Sequence, residues 1–242
     1  MKRRLTSFAD LVLQAQRGED YDLLVRDYGA AVTILALHGG TIEPLTEQLA
    51  MAVAGDTWNL FALYGLQLSA ANLRLPTLRL AEVRCDALLQ HSALALAITG
   101  CGDGEQAQVG GRNGQLVRAL REGLAAIGLP AAETGSPEAE ALAMQCYNRT
   151  QWGGAQLTLP LALRRRLTPT ALEAVPPGVM PLLTDLGWAL INAVREAVDG
   201  CLREQTTDLA TTLDRFERAT RAAQASGLFS PTPRSQAQRR EG

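Results

Sequence analysis

The chain has 242 residues, 47% of them hydrophobic, and a formal net charge of -2, which allows a sizeable core in one main domain and gives no global attraction to nucleic acid, phosphate-rich polymers or anionic lipid. Its longest apolar stretches, residues 30–37 and 93–98, are strand-sized and fall far short of the roughly 20 residues that span a bilayer. The start, Met1-Lys2-Arg3-Arg4, leads into a polar and acidic segment instead of a signal-peptide apolar run, so the expectation is a cytoplasmic, soluble protein without nucleic-acid or membrane partners.

In chain order, residues 31–37 form an apolar run rich in β-branched side chains that ends at His38-Gly39-Gly40, the pattern of a strand buried on both faces. Pro44 at a first helical position, followed by Leu45, Leu49, Ala52 and Val53 at helical spacing, predicts a helix over the next dozen residues. Residues 94–98 repeat the short apolar run ending in glycine, and residues 115–127 read as an amphipathic helix closed by Gly128 and Pro130. Another strand is expected at residues 156–159. Alternating strands and helices make the first two thirds α/β, with ligands expected at the carboxyl ends of the strands. Beyond Pro176-Pro177, residues 182–203 and 209–225 carry helical spacing with no strand between them, and residues from Ser230 onward lack an apolar anchor and read as disordered.

Cys85, Cys101, Cys146 and Cys201 are widely spread, with no C-x-x-C pair, and read as reduced, mostly buried thiols. Gly100-Cys101-Gly102-Asp103-Gly104 followed by Gly110-Gly111 lacks the Gly-Lys-Ser/Thr ending of a phosphate loop and reads as a flexible turn. Arg164-Arg165-Arg166 reads as a solvated helix end. His38 stands where the buried strand ends, and Glu43 lies across the glycine turn. Imidazole and carboxylate are both zinc ligands and the glycines let them converge, although the same pair also suits a satisfied histidine and a first-turn glutamate favoured by the helix dipole.

The stretch from His38 to Ala50, preceded by Asp20-Tyr21-Asp22, resembles the signature of the poly-γ-glutamate hydrolase family, including its phage-related members. The likeness continues through residues 61–66, Gly100-Cys101, residues 109–113, Asn148-Arg149 and residues 153–157, covering about residues 20–167. It implies a carboxypeptidase-like three-layer α-β-α fold with a mixed central sheet, one zinc, and hydrolysis of γ-glutamyl amides. His38 and Glu43 resemble the first two zinc ligands. Asn148 and Arg149, and less directly Arg112, resemble substrate-carboxylate contacts.

Three departures stand against that pattern. The family histidine that supplies the third ligand corresponds to Thr99, and the general-base glutamate corresponds to Thr158. A Leu-His-Ile-Thr-Ser element is replaced by Leu73-Arg74-Leu75-Pro76-Thr77. Cys101 and Asp103 are the nearby residues able to substitute as ligands, while His91 precedes the second strand and belongs to its opposite end. The expectation is a catalytically impaired family member, a pseudoenzyme that holds zinc weakly and keeps a pocket for a carboxylate-bearing ligand such as a γ-linked glutamate oligomer. An active zinc amidohydrolase with substitute ligands, and an assembly protein using its C-terminal helices, are the alternatives. The expected organisation is a domain over residues 1–203, a helical extension over 204–229 and a disordered tail over 230–242.

Overall fold

The structure, a computed structural model, describes residues 5–67, 72–76, 80–134 and 145–225; the tail expected to be disordered lies outside them. The chain divides into two compact units, Met1–Cys201 and Leu202–Gly242.

In the first unit seven strands among the described residues form one mixed sheet: β1 (Tyr21–Arg26), β2 (Val32–Gly40), β3 (Asn59–Gly65), β4 (Leu94–Cys101), β5 (Gln108–Gly111), β6 (Ala132–Glu133) and β7 (Gly154–Pro160). Their order is β1-β3-β2-β4-β7-β5-β6. The central block β3-β2-β4-β7 is parallel, and β1 and β5 run antiparallel to it on either side. The fold is α/β, as the alternation of apolar runs and helical periods predicts. The strands at 31–37, 94–98 and 156–159 are present and longer than their apolar runs, because β2 and β4 continue through His38-Gly39-Gly40 and Thr99-Gly100-Cys101.

Alternate residues along the strands serve opposite faces. Leu35 and Leu37 of β2, Phe61 and Leu63 of β3, and Ala95 and Ala97 of β4 enter one core cluster with Leu11 of α1 (Phe8–Gln14) and Cys85, Leu88 and Leu89 of α3 (Val83–His91). The other face is covered in part by α2 (Thr46–Ala54), which packs on β2, β3 and β4. At the far side of the sheet α4 (Gly114–Ala126), capped at its start by the Asn113 side chain, packs on β5, β6 and β7.

Several local expectations change. Pro44 sits in a turn and the helix begins at Thr46, because Leu45 takes a left-handed backbone (φ 80°) and is fully buried. The glycines at 100–104 and 110–111 do not form one flexible turn: Gly100 ends β4, and Gly110 and Gly111 belong to β5, paired with Gln156 and Ala155 of β7. Arg164 of α5 (Leu161–Arg166) is buried where a solvated helix end was expected, whereas Arg165 and Arg166 are exposed. Three of the four cysteines are buried and all four are free thiols. His91 is exposed at the end of α3, ahead of the amino end of β4.

Residues 182–203 and 209–225 are not separate helices. A single helix, α6, runs from Asp185 to Ala225, and Leu190, Ile191, Val194 and Val198 on it are buried in the first unit. In the second unit the residues from Arg203 to Arg221 are exposed apart from half-buried Gln205, and the i,i+4 pairs Asp214–Arg218 and Glu217–Arg221 support that surface. No helix among the described residues is long and apolar enough to cross a membrane.

The end of β2 is the most constrained backbone near the sheet's carboxyl edge. Ala36 pairs with Ala62 but Gly39 pairs with Tyr64, so β2 carries one extra residue at Leu37-His38, a bulge. Gly40 then has φ +62°, and a Cβ on it would run into the Gly65 carbonyl oxygen. Gly40→Ala should therefore cost about 2–4 kcal/mol, combining the left-handed penalty with a backbone clash. Urea unfolding checks this; a cost under about 1 kcal/mol would show that the turn relaxes freely.

Candidate functional site

The bulge places His38 against the floor of a cavity of about 240 Å³ lined by His38, Arg74, Leu75, Pro76, Thr99, Gln156 and Thr158. His38 is buried, and its Nε2 lies 2.7 Å from the Leu75 carbonyl oxygen. A carbonyl only accepts, so Nε2 carries the proton of that bond. Nδ1 has no hydrogen-bond partner among the described residues and faces Glu43 Oε1 at 3.4 Å.

Glu43 is also buried and joins two parts of the site. Its Oε2 accepts from the Gly100 N–H at 2.6 Å, tying the turn after β2 to the end of β4. Its Oε1 lacks an aligned hydrogen bond but lies 3.0 Å from Arg74 Nη2 as an ion pair. Arg74 Nη2 also reaches the Gly100 carbonyl oxygen at 3.4 Å. Arg74 was singled out in the sequence only as part of a departed segment; nothing in local spacing could signal that its guanidinium meets Glu43.

Thr99 and Thr158 are direct register partners on β4 and β7, so their side chains project from the same face. Their hydroxyl oxygens lie 3.0 Å apart, and the Gln156 side-chain amide donates to Thr158 Oγ1 at 2.9 Å. The structure thus brings His38, Thr99 and Thr158 to one cavity, with Glu43 touching His38 and Arg74.

The other three candidates are placed differently. Asn148 Oδ1 accepts from the backbone N–H of Gly154 at 3.0 Å and of Arg112 at 3.2 Å. This ties both to the first residue of β7, four residues and about 13 Å along the strand from Thr158. Arg149 Nη1 donates to Asp86 at 2.7 Å and to the Leu80 carbonyl at 3.0 Å. Neither Arg112 nor Arg149 is among the residues that line the cavity.

Two buried charged side chains hold the turn and the strand ends, and sequence reasoning missed both, each having at least one partner more than a hundred positions away. Arg164 donates to the carbonyls of Leu159 (3.2 Å), Pro44 (2.7 Å) and Cys101 (3.1 Å), clamping the ends of β7 and β4 to the turn that bears Glu43. A Cβ at residue 100 would lie 2.8 Å from that guanidinium, so a larger residue there must displace the Arg164 head. Glu47 accepts from the Gly40 N–H and from the Gly178 N–H (3.0 Å), and the Gln48 side chain donates to it at 3.0 Å. Gly39 is required beside it, because a Cβ would collide with the Glu47 side chain.

A zinc ion bound at about 2.0–2.2 Å by two tetrahedral ligands holds them about 3.4 Å apart, which matches the spacing of His38 Nδ1 and Glu43 Oε1. The remainder of a shell does not fit. Thr99, the position that resembles the third ligand, offers a hydroxyl engaged with a second hydroxyl, and among the described residues no three His, Cys, Asp or Glu side chains converge as a metal group. Burial pushes the Cys101 thiol up, against the opposing pull of Arg164, and its Sγ donates to the Asp103 carbonyl at 3.1 Å. A protonated, engaged thiol is a poor zinc donor. The donor set as a whole does not suit a catalytic zinc.

The family model described as poly-gamma-glutamate hydrolase matches residues 5–171. The fold is similar to a bacteriophage poly-gamma-glutamate hydrolase structure, at TM-score 0.74 and 21% identity over 81% of this chain and 97% of that one. It is also similar to the zinc-free apo structure of YNDL, at TM-score 0.72 and 19% identity over 81% of this chain and 96% of that one. A comparison with curated protein sequences finds no match.

Burial holds the Glu47 carboxyl above its ordinary value, against the lowering effect of the Gly40, Gly178 and Gln48 donors. Between the ordinary and the raised value the native state keeps a proton that the unfolded chain has released, so this group adds stability as pH falls through that window. Wild type should therefore gain on Glu47→Gln during mild acidification, by at most about 1.4 kcal/mol per pH unit. Parallel denaturation curves from neutral to mildly acidic pH measure the difference; a constant or shrinking gap contradicts the assignment.

Proposed function

Because the chain belongs to the poly-γ-glutamate hydrolase family, we propose that it is a catalytically impaired member that has kept a pocket for carboxylate-bearing ligands. The observation that carries this reading is the hydroxyl pair of Thr99 and Thr158, 3.0 Å apart, beside His38 and Glu43. These are the positions that resemble the family's third ligand and general base. A catalytic zinc needs three protein ligands to make its bound water acidic near neutral pH, and a threonine hydroxyl does not accept a proton from water at that pH. In this reading zinc is at most weakly held, and the proposed metal ligands are His38 and Glu43.

The ligand class follows from the family: a γ-linked glutamate oligomer carries one free α-carboxylate per internal residue, which suits a planar guanidinium fork. Arg149 is the proposed contact, exchanging its bond to Asp86 for a ligand carboxylate, with Arg112 as a second, less direct one. Asn148 then acts as a positioning residue, since its oxygen is committed to the N–H groups of Arg112 and Gly154.

Calorimetry with γ-linked glutamate oligomers should show binding that Arg149→Ala weakens about 10–100-fold, the size of a lost charged hydrogen bond. Equal affinity in the two proteins removes Arg149 from the site. Hydrolysis should be absent or very slow in wild type, since loss of a general base alone lowers rates about 10²–10⁴-fold. Restoring one group should recover little, whereas Thr99→His with Thr158→Glu should raise zinc affinity first and turnover second. Wild-type turnover of poly-γ-glutamate that is lost on chelation and recovered with zinc would overturn the reading.

A further inference from the structure

One short segment reaches both donors of the incomplete metal shell. The Leu75 carbonyl holds His38 Nε2 at 2.7 Å, and the neighbouring Arg74 places Nη2 3.0 Å from Glu43 Oε1 and 3.4 Å from the Gly100 carbonyl oxygen. The Glu43 side chain is 4% exposed and that of Arg74 is 58% exposed, so the cation comes from the solvent side to a carboxylate that cannot reach water. A buried carboxylate needs a compensating charge, and here it faces a guanidinium across an ion-pair distance.

We infer that Arg74 is a built-in cation standing in for a metal ion at Glu43, so that the site is closed to divalent metals by charge as well as by its shortage of ligands. A metal approaching His38 Nδ1 and Glu43 Oε1 would meet a positive charge already 3.0 Å from that oxygen, and it must displace the guanidinium to bind. Removing the charge frees two donors already spaced as neighbouring zinc ligands. It also leaves Glu43 without a counter-ion when metal is absent. The inference rests on the proposed reading in one respect, that the wild-type shell is incomplete.

The test is zinc binding and thermal melting of the full chain as wild type, Arg74→Met, Arg74→Gln and Arg74→Lys. After chelation, Arg74→Met and Arg74→Gln should melt below wild type, and added zinc should raise their melting temperatures while leaving wild type unchanged. By equilibrium dialysis both should bind zinc at least about tenfold more tightly than wild type, a change on the scale of altering one supporting contact of a metal site. Adding His38→Ala should abolish that gain, and Arg74→Lys, which keeps the charge, should stay as weak as wild type. Equal zinc affinity in wild type and both neutral variants overturns the role of Arg74, as does a gain in Arg74→Lys that equals theirs. Should Arg74→Met not fold, Arg74→Gln carries the same comparison in a polar side chain. Wild type purified with one tightly held zinc overturns both this inference and the proposed function, whereas inactive wild type with no gain in the neutral variants overturns this inference alone.

Discussion

The Glu43 carboxylate is buried at the meeting point of β2, β4 and the segment bearing Arg74, and an isolated charge there would cost several kcal/mol. Its compensation organises what surrounds it. The Gly100 N–H takes one oxygen, which fixes the height at which β4 ends relative to the turn after β2. Arg74 faces the other oxygen, which brings the segment around Leu75 over His38. Arg164 then closes the far side by donating to carbonyls of the turn after β2 (Pro44), the end of β4 (Cys101) and the end of β7 (Leu159). Hydrogen bonds and ion pairs that share partners in this way reinforce one another in a low-dielectric setting.

Apolar burial delivers these groups to one place. A sheet buried on both faces sets β2, β4 and β7 side by side in parallel, and parallel strands present their carboxyl ends along one edge. The bulge at Leu37-His38 shifts the alternation just before that edge and turns the imidazole to the cavity. Gly39 makes room for the Glu47 side chain and Gly40 for the Gly65 carbonyl, and the Glu47 bonds to Gly40 and Gly178 hold the exit of the strand.

This geometry is built on the scaffold of its family. Two hydroxyls and a guanidinium line the cavity beside the histidine, where metal-dependent hydrolysis calls for a third ligand and a base. Fold similarity at about one residue in five speaks for the framework and leaves the activity to the residues at the site.

Much of the framework could be read from periodicity. Residues 31–37 and 94–98 announce buried strands because continuous β-branched and apolar runs suit nothing else of that length, and residues 115–127 announce a helix through 3.6-residue spacing. The strands of residues 21–26 and 108–111 carry no such clean run, and tertiary pairing decides them, whereas residues 60–64 do carry one that the sequence reading left unassigned. At the site, the sequence by itself determined which residues stand next to the Gly39-Gly40 turn and that Thr99 and Thr158 lie near the ends of apolar runs, because residue identity and order need no coordinates. Only the tertiary structure decided that Thr99 and Thr158 share a hydrogen bond, that Arg164 is buried as a clamp and that Arg74 answers Glu43. Those contacts join residues 31 to 120 positions apart, and contacts at such separations arise from how strands are ordered in a sheet, which local spacing does not encode.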